Sequence, residues 1–380
     1  MLQSSVPNVV DLFCGCSGFG LGATQAGFNV TLSVDVDATL TSAHAINFPN
    51  NKLLLADIAG LSGSELSRAA GCTIDGIIGG PPCQGFSSIG RSNPDDPRRG
   101  LVYHYFRLVR EIRPKFFIME NVKGILFDKN RAVLDEGLSL VDPYYALCGP
   151  VVLDAANFGA PTTRRRVFVI GFLRTEMDVI SSKDLEEIRF PRVTVKDALY
   201  DLRGAKPLQS KSGFDLWSYG ASSPTSKYQR SLRNAAGFFS GHKKTPHRPD
   251  IAARFADVKP GETDKIGRHP RLAWEGTCPT LRAGTGADKG SYQAVRPLHP
   301  EEPRVITVRE AARLQGFPDS FNFHPTVWHS FRMIGNSVSP AIARHLLGMV
   351  LERLLDLKCS RDEGAGVPSI KSAESAERIG

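Results

Sequence analysis

The chain has 380 residues, 41% of them hydrophobic, and a formal net charge of +8. This length is typical of two domains, and the absence of a leader-like N-terminal pattern or a membrane-length apolar run predicts a soluble, cytoplasmic protein with no membrane partner. The seven cysteines are scattered and odd in number, which indicates a reducing compartment rather than a disulfide scaffold.

Apolar strand patterns alternate with helical patterns along the first half of the chain. In chain order, the strands are predicted over 8–13, 31–35, 53–55, 74–79, 115–122 and 164–171, and the helices over 21–27, 37–48 and 103–113. This alternation predicts an α/β fold with a doubly wound, mostly parallel sheet. Near the C-terminus we expect an amphipathic helix over 340–357 and a disordered polar tail over 359–380.

The first predicted strand leads into a loop with recurring glycines, namely Gly15, Gly18, Gly20 and Gly22. Glycines allow a backbone to approach a ligand closely, and Asp35 ends the next strand, where an acid can hold ribose hydroxyls. The glycine spacing does not fit G-x-G-x-x-G, which disfavours a nicotinamide dinucleotide. Cys14 and Cys16 have no second pair at ligand spacing, so we expect no zinc and no other metal.

The most informative short stretch surrounds Cys83, which follows the apolar run 74–79 in a turn of glycines and prolines. Pro81 and Pro82 restrict the backbone before the thiol, while the flanking glycines permit turn geometries that other residues resist. A buried, inert cysteine needs no such turn. The pattern therefore favours a nucleophilic cysteine that is held in place and open to a substrate.

Two later strand patterns carry charged residues at their margins. Glu120 lies near the end of the run 115–122, and the cluster of Arg164, Arg165 and Arg166 begins the last run. Ligands of open α/β sheets bind at strand ends. A thiol, a carboxylate and guanidinium groups together suit the addition of sulfur to an electron-poor ring while that ring is protonated.

These motifs follow one another in a fixed order: the glycine loop, the Cys83 turn, the Glu-Asn-Val triplet 120–122, the arginine cluster and a Gly-Asn-Ser-Val stretch over 335–338. The ordered set resembles the DNA (cytosine-5) methyltransferase family of prokaryotic type, over about residues 9 to 350. The resemblance implies a Rossmann-like class I methyltransferase domain over 1–190 and 327–358. It also implies a smaller, loop-rich target-recognition domain over 191–326.

The resemblance implies S-adenosyl-L-methionine as the cofactor and S-adenosyl-L-homocysteine as the product. Phe13 is then expected to pack against the adenine, Asp35 to bind the ribose, and Asp57 with Ile58 to contact the adenine. The other implied cofactor residues are Gly15, Cys16, Gly18, Val36, Pro82, Leu101, Asn336, Ser337 and Val338, of which the last three should close over the methionine part. Val36 stands where family members often have a larger ring.

The chemistry follows from the same resemblance. The Cys83 thiolate would add to C6 of a cytosine, and Glu120 would hydrogen-bond N3, which requires a raised carboxyl pKa. Arg166 would bind O2 of the base, and Arg164 would brace the cysteine loop or a phosphate. These ring atoms are shielded in stacked DNA, so the base must be flipped out, at a cost of roughly a few kcal/mol.

Duplex DNA is the expected partner, with the protein associated with the nucleoid when bound. Between Arg203 and Arg304 there are 18 Lys and Arg residues against 9 Asp and Glu, which places the positive field in the target-recognition domain. By resemblance, a mobile loop over 84–100 closes on DNA. The residues expected to contact DNA are Gln84, Ser87, Ser88, Arg91, Arg99, Thr280 and Arg282. The family usually has Gln where this chain has Thr162.

Two other functions stay open. A transfer RNA cytosine-5 methyltransferase would use the same cysteine chemistry, although the Cys-Phe-Thr signature typical of RNA-directed relatives does not occur here. A catalytically silent DNA-binding regulator would keep the fold, but it would have no need of an intact Cys83 and Glu120.

A cognate restriction endonuclease is a candidate partner, and the protein is expected to be a monomer. Arg309, Glu310 and Arg313 are expected to hold structure.

Overall fold

The computed structural model describes residues 6–82, 100–175, 180–210, 213–283 and 295–364, with side chains as far as Leu355. Its strands are β1 (Asn8–Leu12), β2 (Asn29–Asp35), β3 (Lys52–Leu55), β4 (Gly76–Gly79), β5 (Phe116–Asn121), β6 (Tyr145–Asp154), β7 (Thr162–Thr163), β8 (Arg165–Leu173), β9 (Lys206–Leu208), β10 (Leu216–Ser218), β11 (Phe238–Phe239) and β12 (Cys278–Pro279). Its helices are α1 (Gly18–Ala26), α2 (His44–Asn47), α3 (Gly63–Ala70), α4 (Gly100–Ile112), α5 (Asp128–Ser139), α6 (Ser182–Glu187), α7 (Val195–Leu199), α8 (Lys227–Leu232), α9 (Pro249–Ala256), α10 (Val308–Gln315), α11 (Val327–Asn336) and α12 (Pro340–Gly364).

Seven of the described strands form the main sheet, in the order β3-β2-β1-β4-β5-β8-β6. Strands β1 to β5 run parallel, whereas β8 lies antiparallel to both β5 and β6. The order of strands reverses between β1 and β4, and ligands of open α/β sheets bind at such a switch point, outside the carboxyl ends of the strands. The doubly wound, mostly parallel sheet predicted from the sequence is confirmed.

Helices cover both faces of this sheet. All residues of β5 are buried without alternation, which is typical of a strand packed on two sides. On one face, α4 buries its apolar residues Val102, Tyr105, Phe106, Leu108 and Val109. On the other face, α1 packs against α12, with Gly22 so close to Ala343 that a side chain at position 22 would overlap it. The two layers fix the central strands as a frame for their carboxyl ends.

A second hydrophobic core lies beyond the carboxyl ends of the sheet. It is built from α7, α10 and α11, and the sheet contributes the loop residues Cys16, Ala43 and Phe48 to it. Phe331, Met333 and Ile334 of α11 belong to this core. Helix α11, which ends within the stretch 335–338, is therefore packed against both halves of the chain.

Helix α10 carries a buried ionic network within the second core. Arg313 is wholly buried and pairs with Asp201 and Asp319. Arg309 is also wholly buried and donates to backbone carbonyls of the loops on either side of the helix. Glu310 forms a capping box at the first turn. These side chains hold structure, as expected for them.

The predicted helices over 21–27 and 103–113 are observed with ends shifted by at most three residues, and two other predicted helices differ more. The helix expected over 37–48 is reduced to α2, because the Asp37 carboxylate accepts the backbone N–H groups of Thr39 and Leu40 and stabilises a turn. The expectation that helix ends at 357 and disorder begins at 359 was wrong, since α12 continues to Gly364. No glycine or proline occurs between Gly348 and that residue. Among the described helices, none has the length and apolar composition needed to cross a bilayer.

Candidate active site

A cleft of about 310 Å³ lies outside the carboxyl ends of β1, β2, β4 and β5. The predicted cofactor residues that line it are Phe13, Gly15, Cys16, Asp35, Val36, Asp57, Ile58, Pro82, Leu101, Asn336, Ser337 and Val338. Three residues predicted to be catalytic, Glu120, Arg164 and Arg166, line it as well. Residues far apart in the sequence therefore meet at the switch point of the sheet, where a ligand site is expected.

Gly18 was expected to contact the cofactor, but it does not line the cleft. A Cβ added at this position would overlap the Ser337 side chain and lie 2.5 Å from the Val338 carbonyl oxygen. The missing side chain lets the start of α1 pack against the 336–338 loop, which does line the cleft. Gly18 therefore lies behind the wall of the site rather than in it.

The thiol predicted to be the nucleophile lies outside the described part of the chain. So do the predicted DNA contacts of the following loop, namely Gln84, Ser87, Ser88, Arg91 and Arg99. Pro82, the described residue immediately before Cys83, lines the cleft. The side-chain amide of Asn121, at the end of β5, donates to the Pro81 carbonyl over 3.2 Å. The backbone that leads into Cys83 is thereby fixed at the cleft.

Two carboxylates fix the glycine loop from the inner side of the cleft. The N–H of Gly15 donates to Asp35 over 2.8 Å, and the N–H of Gly20 donates to Asp11 over 3.1 Å. Burial raises the pKa of Asp35, and burial raises the pKa of Asp11 from 3.8 to about 8. The negative charge of Asp35 adds to the shift of Asp11. Asp11 and Asp35 thus form an acidic floor.

Apolar side chains give the cleft a second kind of surface. Phe13 adopts a φ of +58° and so lies in the left-handed region, immediately after β1. Ile58 is buried, whereas Val36 is 72% exposed despite its apolar side chain. Asp57, next to Ile58, accepts the N–H of Ala59 over 2.9 Å. An exposed apolar residue beside buried apolar and acidic ones is typical of a small-molecule site.

Glu120 and Arg166 form an ion pair in the cleft. The Nε atom of Arg166 lies 2.9 Å from Oε1 of Glu120. Burial raises the pKa of Glu120, and the opposing charges of Arg166 and Arg164 reduce this rise without cancelling it. The raised pKa required of Glu120 by the expected chemistry is therefore present. A carboxyl group in this environment can hold a proton and share it with a bound ring.

Arg164 is buried and donates to three backbone carbonyls of the described chain. Its guanidinium lies 3.2 Å from the carbonyl oxygen of Leu281, 3.0 Å from that of Gly335 and 2.7 Å from that of Ser337. We expected it to brace the cysteine loop or a phosphate. Its described hydrogen bonds join the 278–281 segment to the loop that lines the cleft, and the expected contact with the cysteine loop or a phosphate stays a prediction.

The segment with the predicted DNA contacts Thr280 and Arg282 is fastened to the strand before the arginine cluster. Strand β12 pairs in parallel with β7, and the Thr280 hydroxyl donates to the Thr163 carbonyl over 2.7 Å. The hydroxyl of Thr162 donates to the Cys278 carbonyl over 3.1 Å. Thr162 therefore holds two segments together, and Thr280 uses its proton internally. Arg282 is exposed.

An ion pair that the sequence does not predict lies at the cleft. Asp37 and Arg332 both line it, and their side chains approach to 3.2 Å across 295 residues of sequence. Asp37 was predicted to lie in a helix. The signal for a turn instead was the tendency of aspartate to accept a backbone N–H two residues further on, as it does here from Thr39. Nothing in the local sequence around Arg332 indicates its partner.

The positive charge of the 203–304 segment is partly used inside the structure. Arg233, Arg254 and Arg304 pair with the buried carboxylates of Asp201, Asp264 and Glu310. Exposed cations of the segment include Lys227, Arg230, Lys243 and Arg282. Asp201 and Glu310 lie outside the segment, so the excess of cations counted within it overstates the charge that it presents to a polyanion.

A family model described as C-5 cytosine-specific DNA methylase matches residues 7–352. The chain belongs to this family. Curated relatives of this methylase include the Type II methyltransferase M.XorII of Xanthomonas oryzae pv. oryzae, which is 39% identical over 375 residues, 92% of this chain and 85% of the relative. The Type II methyltransferase M.DdeI of Desulfomicrobium norvegicum is 31% identical over 378 residues, 89% of this chain and 87% of the relative.

Solved structures agree with the family. A protein named as a prophage-encoded DNA modification methyltransferase of E. coli superimposes with a TM-score of 0.77 at 39% identity, covering 92% of this chain and 99% of that one. A DNMT2 mutant of Spodoptera frugiperda covers 92% of this chain and 99% of its own, with a TM-score of 0.59 at 16% identity. The second likeness shows the fold alone.

This methylase is therefore an enzyme of prokaryotic type that transfers a methyl group from a methyl donor to C5 of cytosine in DNA. DNA is its substrate. The matches do not favour the RNA methyltransferase or the silent regulator that the sequence left open.

Proposed function

We propose that the cleft binds S-adenosyl-L-methionine as the methyl donor. The apolar surface of Phe13, Val36 and Ile58 suits a purine ring, and the carboxylates of Asp35 and Asp57 suit ribose hydroxyls and an exocyclic amine. Asp35 accepts one backbone N–H on each carboxylate oxygen. Each oxygen therefore keeps a lone pair for a hydroxyl group of the ligand.

The remaining residues of the cleft suit the other end of the donor. The loop 336–338, held by Arg164, would enclose the methionine part, while Pro82 and Leu101 would lie toward the reacting base. When bound, this donor supplies an electrophilic methyl group on a sulfonium. A positively charged ligand would favour the ionised forms of Asp11 and Asp35, whose pKa values burial raises.

Cys83, Glu120 and Arg166 would carry out the ring chemistry. The Cys83 thiolate forms a bond to C6 of the cytosine, and negative charge builds toward N3. Glu120 in its protonated form hydrogen-bonds N3 and neutralises that charge, and Arg166 donates to O2. Once C5 is methylated, loss of the C5 proton and departure of the Cys83 sulfur restore the aromatic ring. The convergence of Pro82, Glu120 and Arg166 on one cleft is the observation that carries this proposal.

The substrate base would reach the cleft by flipping out of duplex DNA. The segment 191–326 would act as the target-recognition domain, with catalysis assigned to 1–190 and 327–358. Arg282 and the arginines of the 84–100 loop would contact phosphates, and the contact expected of Thr280 would use its oxygen as an acceptor, because the proton is engaged.

A Type II role follows from the relatives, since M.XorII and M.DdeI are Type II methyltransferases. The partner would then be a restriction endonuclease that cleaves the same sequence when it is unmethylated. The methylase would act on DNA as a monomer, because one chain carries the complete set of motifs.

Methylation sequencing tests the function. DNA exposed to the protein and S-adenosyl-L-methionine should gain C5 methylation at one short motif, and Cys83→Ser should abolish it. Cys72→Ser is the matched control, because Cys72 lies outside the cleft and should be dispensable. Methylation of an exocyclic nitrogen instead would contradict the mechanism.

A trapping experiment tests the covalent step. With S-adenosyl-L-methionine present, a duplex with 5-fluorocytosine at the target position would be methylated at C5 and would then hold fluorine in place of the departing proton, so the Cys83 adduct should persist under denaturing conditions. Glu120→Gln should slow trapping severely, and Cys83→Ser should prevent it. Complete release of the fluorinated duplex from the wild-type protein would overturn the assignment of Cys83.

A further inference from the structure

Arg107 lies on α4 and reaches the loop that follows β3. Its guanidinium donates to the carbonyl oxygen of Ile58 over 3.0 Å and to that of Leu61 over 2.7 Å. The Nε atom donates to the His104 ring over 3.2 Å, and Nη1 lies 2.8 Å from Glu111. Its donors are thus engaged on four sides, and the side chain is only 21% exposed.

The segment that Arg107 holds carries two residues of the donor cleft. Asp57 and Ile58 line the cleft, and Ile58 begins a short 3₁₀ helix that ends at Gly60. The two carbonyls that Arg107 binds belong to the first residue of this helix and to Leu61 directly after it. Their position sets how the Ile58 side chain and the Asp57 carboxylate face the cleft.

A second anchor acts on the same loop from the same helix. The N–H of Gly63, at the start of α3, donates to the Glu111 carboxylate over 2.5 Å. A Cβ at position 63 would lie 2.7 Å from Cβ of Glu111, so a side chain would push the loop away from α4. The loop is therefore fastened to α4 at three backbone groups by Arg107 and Glu111 together.

An ordinary surface ion pair does not account for this geometry. Pairs spaced i, i+4 on an exposed helix stabilise it only weakly, and the Arg107–Glu111 contact alone would be one of them. The two hydrogen bonds to carbonyls of another element are charge-assisted and directional, which is the property needed to fix a backbone.

We propose that Arg107 is a positioning residue for the methyl donor, which fixes the Asp57–Ile58 edge of the cleft through the backbone. This rests on the proposed function, since it assumes that the donor binds between Phe13, Asp57 and Ile58. Arg107 touches neither the donor nor the base. Its loss should weaken donor binding and leave the chemical step intact once the donor is saturating.

The test compares Arg107→Gln and Arg107→Lys with the wild type. Arg110→Gln is the matched control, because Arg110 is an exposed arginine of the same helix. Calorimetric titration with S-adenosyl-L-methionine should give a Kd about ten-fold higher for Arg107→Gln, the loss expected when charged hydrogen bonds are removed. The KM for the donor should rise in parallel, with kcat and the KM for DNA unchanged. Nη2 alone donates to both carbonyls, but a lysine side chain is shorter and has no further nitrogen for His104 and Glu111, so Arg107→Lys should rescue only in part.

Amide hydrogen exchange supplies a readout that needs no ligand. The Leu61 N–H donates to the Ile58 carbonyl, and its exchange should accelerate in Arg107→Gln and in Gly63→Ala but not in Arg110→Gln. An unchanged donor Kd, or equal losses in kcat, in the KM for DNA and in melting temperature, would overturn the proposal. Failure of the wild type to bind the donor would overturn the proposed function. The role of Arg107 would be refuted separately if amide exchange at residues 58–61 were the same in Arg107→Gln as in the wild type.

Discussion

Arg166 and Glu120 are held 2.9 Å apart by two neighbouring antiparallel strands. Their side chains are only 15% and 11% exposed, so the ion pair is weakly screened by solvent. Burial nevertheless raises the pKa of Glu120 above its usual range. The arginine therefore limits the basicity of a carboxyl group that would otherwise hold its proton more strongly.

Replacement of Arg166 by Gln should raise the pKa of Glu120 further, because the lowering charge is removed. The protonated form then survives to higher pH, so the descending limb of kcat against pH should move to higher pH even as the rate falls. Methylation rates between about pH 6 and pH 10 measure this limb.

The control for this variant is Arg165→Gln. Arg165 is exposed and pairs with Asp154 rather than with Glu120, so the limb should stay in place. A limb that also stays in place in Arg166→Gln would show that Glu120 does not supply the proton.

An aromatic ring in place of the Val36 side chain should tighten donor binding. Val36 is 72% exposed in the cleft, and Val36→Trp would add apolar area against a bound purine, which should lower the donor Kd by about ten-fold. Calorimetric titration measures the Kd. Ile46→Trp is the control, because Ile46 is exposed outside the cleft and should leave the Kd unchanged.

Gly18→Ala should weaken donor binding although Gly18 does not line the cleft. The added methyl group would overlap the Ser337 side chain and press on the Val338 carbonyl, so the cleft loop must move. We expect a donor Kd raised at least ten-fold, the result of a displaced wall rather than a lost contact. Gly60→Ala meets no atom within 4 Å and should bind normally. Equal affinities for the two variants would contradict the packing role of Gly18.

The sequence predicted those parts of the site that depend on local pattern. Asp35 ends an apolar strand, and parallel strands bring their carboxyl ends to one edge, so its place in the cleft follows from the strand itself. The Thr280 hydroxyl was unpredictable, because its acceptor is the Thr163 carbonyl, 117 residues away, on a two-residue strand with no pattern of its own. Arg332 was missed for the same reason.

Asp11 should make the folded protein less stable as pH rises. Its pKa rises from 3.8 to about 8 on burial, so its contribution to stability is complete below about pH 4 and is lost as pH rises through about 8. Between about pH 5 and 8, the unfolding free energy of the wild type should therefore fall by a few kcal/mol more than that of Asp11→Asn. Urea unfolding at both pH values measures the difference.

The control is Asp135→Asn, because Asp135 is half-exposed in a surface ion pair. The unfolding free energy of Asp135→Asn should depend on pH as that of the wild type does. If Asp11→Asn also follows the wild type, Asp11 is ionised in the folded state at neutral pH, and the acidic floor carries its full charge before any ligand binds.

Arg313→Met should strongly destabilise the protein, since it leaves the buried carboxylates of Asp201 and Asp319 without their shared cation. Breaking a buried pair in this way costs about 3–5 kcal/mol. Arg131→Met removes the cation of an exposed i, i+4 pair with Asp135 and should cost less than about 1 kcal/mol. Urea midpoints and m-values compare the two variants. Similar losses of unfolding free energy in the two variants would mean that the Asp201 and Asp319 carboxylates take up protons or water at little cost once Arg313 is gone. The network around α10 would then organise the second core without stabilising it.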